Sequence, residues 1–194
     1  MEEKFKQQPS NCIKVVLFGP ESTGKTTLSR HLARHYNSVW VPEYAREYLQ
    51  NKWNNERKTC EPKDLLPIAK GQMKLENELA QKTDSVLICD TDLLETKVYS
   101  EAYYVGSCDP LLEKYALENT YDLYFLTYID TPWEADDLRD KPHERERMFN
   151  AFEQELIKQN RPYVLLKGDK NTRLETAIKH IDQLIKKRAL NVFR

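Results

Sequence analysis

Residues 19–26 read Gly19-Pro20-Glu21-Ser22-Thr23-Gly24-Lys25-Thr26, an unbroken G-x-x-x-x-G-K-[ST] string. Two of the five glycines in the chain stand inside it. Glycine lets the backbone curl, so that successive N–H groups face one phosphate oxygen, and the positive end of a following helix adds to the attraction. The expected nucleotide contacts are Gly19, Glu21, Ser22, Thr23, Gly24, Lys25, Thr26 and Thr27. Lys25 is placed to reach the β- and γ-phosphates of ATP, and Thr26 to set its hydroxyl on Mg²⁺.

Carboxylates and arginines farther along could complete a phosphoryl-transfer centre. The apolar run Val86-Leu87-Ile88-Cys89 ends in Asp90. An acid at such a strand end lies beside the phosphate loop and would hold Mg²⁺ with Thr26, directly or through water. Asp92 has two readings, a cap for a helix starting at Leu93 or a contact to a substrate hydroxyl. The short strand Val39–Val41 is stopped by Pro42 and followed by Glu43-Tyr44-Ala45-Arg46. Phosphoryl transfer to an alcohol needs a group that orients the attacking oxygen and takes its proton. Glu43 is the first candidate and Asp92 its rival, with Tyr44 and Arg46 beside the acceptor. The competing reading of Glu43 and Arg46 is a local ion pair at a solvated helix start. Arg139, Arg145 and Arg147 fall in a charge-dense stretch, residues 134–147, expected to form a lid whose cations arrive on closure. An exposed helix of alternating charge is the competing reading there. Trp40, Tyr44, Tyr48, Tyr103, Tyr104 and Trp133 gather near strand ends, where core packing or stacking on a flat heterocycle would use them.

The elements that must carry these residues follow from the pattern of apolar runs. Strands are expected at Ile13–Phe18, Val39–Val41, Ser85–Cys89, Leu123–Ile129 and Tyr163–Lys167. Helices are expected at Thr26–Tyr36, Glu43–Trp53, Pro62 to about Lys82, Leu93–Tyr104 and Leu111–Glu118. One more ends near Gln159, and another spans Thr172–Arg188. Strands alternating with helices throughout imply a three-layer α/β domain with a parallel five-stranded sheet, of the P-loop, nucleoside- or nucleotide-kinase-like kind. Residues 1–12 are read as a loose tail and 13–194 as one domain.

Composition narrows the partners. Thirty basic and 31 acidic side chains leave a net charge of −1 over 194 residues, which argues against nucleic-acid binding by bulk charge. No apolar run approaches the ~20 residues of a membrane span, and the polar first residues carry no signal-peptide core. Four scattered cysteines without a CxxC pair suit a reducing compartment, so a cytoplasmic location is expected. No Asn-Lys-x-Asp guanine reader follows a later strand, and no LSGGQ-like signature is present. The oligomeric state is left open.

The P-loop wording through Thr27, the stretch Pro42-Glu43-Tyr44-Ala45-Arg46-Glu47, Asp90-Thr91-Asp92 and the segment from Trp133-Glu134 to Arg139 resemble the ribosylnicotinamide kinase domain of NadR-type proteins, classed with AAA-like P-loop ATPases. The resemblance runs from about Ile13 to the last helix. It implies an enzyme that uses ATP and Mg²⁺ to phosphorylate the ribose 5′-hydroxyl of nicotinamide riboside. Two other readings stand beside it, a kinase of another nucleoside or small alcohol and a regulatory ATP- or GTP-binding module.

Overall fold

The computed structural model describes residues 2–138 and 142–192, the side chains of Tyr103, Val105, Pro142 and Val192 excepted. Five short strands set the architecture: β1 (Ile13–Phe18), β2 (Trp40–Val41), β3 (Val86–Asp90), β4 (Leu123–Thr127) and β5 (Tyr163–Leu166). They pair in the order β2-β3-β1-β4-β5, every pair parallel. Parallel neighbours cannot be joined by hairpins, so a helix crosses over between strands and both sheet faces are covered. The helices are α1 (Lys25–His35), α2 (Tyr44–Glu56), α3 (Leu65–Ala80), α4 (Leu93–Tyr99), α5 (Pro110–Glu118), α6 (Arg145–Lys158) and α7 (Lys170–Val192).

Alternate side chains of the central strands feed two cores. Val16, Phe18, Leu87, Cys89, Tyr124 and Leu126 pack toward α3, α4, α5 and α6. Val15, Leu17, Val86, Ile88, Leu123 and Phe125 pack toward α1 and α7. Full burial of each such side chain contributes roughly 1.5–3 kcal/mol, which makes the sheet the rigid base of the molecule. The register sets Leu17 of β1 beside Asp90 of β3. The loop after β1 and the acid ending β3 therefore emerge side by side at the carboxyl edge of the sheet.

The structure departs from the sequence reading in three places. The residues before β1 are not a loose tail. Phe5 is buried and stacks on Tyr115, and Gln7 donates to Glu76 at 2.7 Å. One aromatic at the right distance from β1 gives this polar segment an apolar anchor. The helix expected from Pro62 starts as a 3-10 turn, Pro62–Asp64, because Asp64 and Glu61 cap each other's backbone before α3 begins. The helix expected over Leu93–Tyr104 is α4 followed by a π-helical turn, Ser100–Val105, ended by Gly106 at φ +71°.

Candidate active site

Gly19 follows β1 with φ +134°, a conformation that side chains rarely adopt. A Cβ there would stand 2.8 Å from the Thr127 hydroxyl and 3.0 Å from its carbonyl oxygen, so only glycine lets the loop cross the end of β4. Gly24, at φ +85°, is the N-cap of α1 and gives that helix no side-chain cap. The first-turn N–H groups of α1 are thus suited to an incoming anion. Arg173 of α7 braces the loop from the far side. It is buried, donates to the Thr23 carbonyl at 2.7 Å and the Tyr128 carbonyl at 2.9 Å, and pairs with Asp130.

Lys25 Nζ donates to the Gly19 carbonyl at 2.5 Å and the Pro20 carbonyl at 3.0 Å, and lies 3.1 Å from Glu95 Oε1. The second Glu95 oxygen accepts the Gly19 N–H at 3.3 Å. Burial works against the Lys25 ammonium, but the charges of Glu95, Glu43 and Asp90 outweigh it and raise its pKa. Burial pushes the Glu95 carboxyl up to about 8, with Lys25 pulling the other way.

Thr26 Oγ1 donates to Asp90 Oδ2 at 2.6 Å. Asp90 is fully buried, and its Oδ1 has no hydrogen-bond partner. Burial first, and then the charge of Glu43, raise the Asp90 pKa to about 7. A buried acid with one orphaned oxygen, beside a hydroxyl and a phosphate cradle, fits Mg²⁺, a hard cation that takes one or two protein oxygens and leaves the rest to phosphate and water. Among the described residues no group of three or more His, Cys, Asp or Glu side chains could hold a metal by itself.

Residues 21–27 line a cavity of about 490 Å³, and Glu43 and Arg46 line the same cavity. Glu43 is the N-cap of α2, yet its carboxylate makes no cap bond. Its charge acts on Lys25, Asp90 and Glu95, so it faces the phosphate loop. Arg46 pairs with Asp136 at 2.7 Å, tying α2 to the segment after β4. That segment also touches the loop, since the Glu134 N–H donates to the Ser22 hydroxyl at 2.8 Å. A smaller recess between Glu43 and α3 is lined by Leu49, Leu65, Ile68, Tyr99 and Tyr104.

Three of the expected site residues are engaged elsewhere. A Cβ at Gly71 of α3 would fall 2.1 Å from the Tyr44 ring, so that ring lies flat against α3. Asp92 caps α4 through the Glu95 N–H at 3.0 Å and accepts the Tyr124 hydroxyl at 2.8 Å, fully buried. Of its two sequence readings the cap is the one seen, and burial raises its pKa to about 7. Arg147 donates to the Ala102 carbonyl at 2.6 Å and pairs with Glu144. Arg145, by contrast, reaches the loop, donating to the Thr131 carbonyl at 2.9 Å and the Ser22 carbonyl at 3.3 Å. Arg139 lies outside the described residues. Sequence reasoning did not single out Glu95, Gln72, Arg173 or Tyr99. Glu95 had a signal of a kind, an acid in the first turn after a candidate metal ligand.

A family of proteins described as AAA domain matches residues 14–173, most of the chain. The chain belongs to this family. This AAA domain is 29% identical over 147 residues to the trifunctional NAD biosynthesis/regulator protein NadR of Salmonella typhimurium, covering 75% of this chain and 36% of that protein. It spans about a third of the length of the curated relatives it matches. It superposes on the crystal structure of a NadR protein in complex with NR with a TM-score of 0.73 at 25% identity, covering 89% of this chain and 51% of the other. A deoxyadenosine kinase from M. mycoides shares the fold, with a TM-score of 0.66 at 16% identity over 88% of this chain and 100% of that one. The resemblance to NadR-type P-loop domains read from the sequence thus holds across the domain, and so does the five-stranded parallel sheet. Among the described residues no helix is long and apolar enough to cross a membrane.

Proposed function

We propose that this domain transfers the γ-phosphoryl group of ATP to the ribose 5′-hydroxyl of nicotinamide riboside, forming nicotinamide mononucleotide and ADP. One observation carries the reading: the phosphate loop and Glu43 line one and the same cavity. A binding module has no need of a carboxylate aimed at a second substrate. The choice of acceptor is supported by the similarity to NadR proteins, one of them solved in complex with NR.

The loop N–H groups and Lys25 hold the triphosphate, and Lys25 leaves the Gly19 and Pro20 carbonyls to do so. Mg²⁺ held on Thr26 and Asp90 would neutralise charge on the phosphate oxygens. Glu43 orients the 5′-hydroxyl. As that oxygen bonds to the γ-phosphorus, the bond from phosphorus to the ADP oxygen breaks, and the hydroxyl proton passes to Glu43. Arg145, already on the Ser22 carbonyl, supplies cationic charge near the transferred group. The recess with Tyr99 and Tyr104 receives the base. All four cysteines are free, which suits the cytoplasm.

The test is ATP consumption screened over a panel of nucleosides, nicotinamide riboside included, against controls without acceptor. Nicotinamide riboside should raise ADP release at least about tenfold over the control. A different nucleoside in first place moves the acceptor, and no acceleration by any nucleoside removes the kinase reading in favour of a regulatory module.

A further inference from the structure

Glu43 is the N-cap of α2, and its carboxylate does not turn back onto the first-turn N–H groups. A side chain of α3 holds the backbone on both sides of it instead. Gln72 of α3, 2% exposed, accepts the Tyr44 N–H on Oε1 at 2.8 Å. Its Nε2 donates to the Pro42 carbonyl at 3.3 Å. Both ends of one side-chain amide thus hold the residues immediately before and after Glu43. The neighbouring Gly71 adds a steric stop, because the Tyr44 ring rests where a Cβ would be. Pro42 itself restricts the chain entering the turn.

We propose that Gln72 is a positioning residue for the transfer step: by holding the backbone on both sides of Glu43 it fixes the aim of the Glu43 carboxylate toward the acceptor hydroxyl. This rests on the reading of Glu43 as the acceptor-orienting group. The amide suits the task because it offers one acceptor and one donor in a single rigid plane. A carboxylate would keep the bond to the Tyr44 N–H but would face the Pro42 carbonyl with a second acceptor. A carboxyl group that is protonated would restore the donor.

The test compares Gln72→Glu, Gln72→Leu and Glu43→Gln with the wild type, using nicotinamide riboside as acceptor. Gln72→Glu at about pH 8 should lower kcat for transfer roughly 10- to 100-fold, as a misplacement of about 1 Å does, while KM for ATP stays within about twofold. Acidification should narrow the gap to wild type as the introduced carboxyl regains its proton. Gln72→Leu, which cannot be protonated into a donor, should show the same loss at every pH where it is folded. A merely structural role predicts instead that kcat and the ATP constant change together, without pH rescue, and that result overturns the proposal. So does full activity of Gln72→Glu. Glu43→Gln separates the two levels: if it turns over normally, the Glu43 reading fails. If it is crippled while both Gln72 variants are normal, only the positioning role fails. A crystal structure of Gln72→Glu at about pH 8 reads the aim directly and needs no acceptor. A Glu43 carboxylate displaced by about 1 Å or more supports the proposal, and an unmoved one overturns it.

Discussion

Thr26 Oγ1 donates to Asp90 Oδ2 across 2.6 Å, while Asp90 Oδ1 stays buried without a hydrogen-bond partner. One oxygen of the acid is fixed by the phosphate loop, and the other is the one that Mg²⁺ would take in the proposed reaction.

Asp90→Asn should therefore raise the Mg²⁺ concentration needed for half-maximal rate at least about tenfold. It should have a second, opposite signature in the metal-free protein. Burial, and next Glu43, raise the Asp90 pKa in the fold from 3.8 to about 7. The folded protein then holds a proton that the unfolded chain has already released. The stabilisation from that proton is full at low pH and is lost as pH rises through about 7. The amide has no charge to bury, so Asp90→Asn should gain in Tm relative to wild type between about pH 5 and pH 8. A Tm difference that does not move with pH contradicts this placement of Asp90.

Asp92 is a cap. Asp92→Ala removes the acceptor of the Glu95 N–H and of the Tyr124 hydroxyl, and the buried hydroxyl left behind adds to the lost cap. Denaturant unfolding should show a loss of about 2–4 kcal/mol. Asp92→Asn, of the same shape, should keep kcat within about threefold of wild type, since general bases are worth ~10²-fold or more. A kcat lowered a hundredfold in folded Asp92→Asn would return Asp92 to the role of base.

Gly71→Ala tests the seat of Tyr44. Alanine favours a helix over glycine by ~1 kcal/mol, so in open space it would stabilise α3. Here the added methyl meets the Tyr44 ring at 2.1 Å. Overpacking should win, with a net loss of about 1–2 kcal/mol and a lower kcat, because Tyr44 directly follows Glu43. A variant more stable than wild type would show that the ring yields freely.

Arg145 and Arg147 stand two residues apart and should differ sharply. Arg145 holds the Ser22 and Thr131 carbonyls, whereas Arg147 is about half exposed and pairs with Glu144. Arg145→Ala should lower kcat/KM for ATP by about 10²-fold, and Arg147→Ala by less than about threefold. Equal effects would mean that the two arginines act only as surface charge.

Which of these residues could be read from sequence depends on how far their partners lie along the chain. The phosphate loop is contiguous, and Asp90 ends an apolar strand, so both were legible from local pattern. The interleaving of strands and helices was enough to expect a parallel sheet, but the order of its strands is set by long-range pairing that no local pattern carries. Glu43 was legible as an acid after a strand and a proline, but not the hold on its backbone, which comes from Gln72 almost thirty residues later. Glu95 looked like any first-turn helix acid, and only the fold brings it to Lys25. Tyr44 and Arg147 had the right types at the right distance along the chain. Their directions are set by Gly71 and by the Ala102 carbonyl, which no local pattern reveals. Phe5 escaped for a related reason, since a single aromatic in a polar run gives no periodicity, yet its contact with Tyr115 and the hydrogen bonds of Gln7 and Gln8 dock the segment.

The most direct measurement incubates the protein with Mg²⁺, ATP and nicotinamide riboside and resolves the products by mass and ³¹P NMR. The expected result is one nicotinamide mononucleotide, phosphorylated at the ribose 5′-oxygen, for each ADP formed, with both absent from Lys25→Ala. ADP formed at the same rate without the riboside, or with no phosphorylated riboside, would contradict the account.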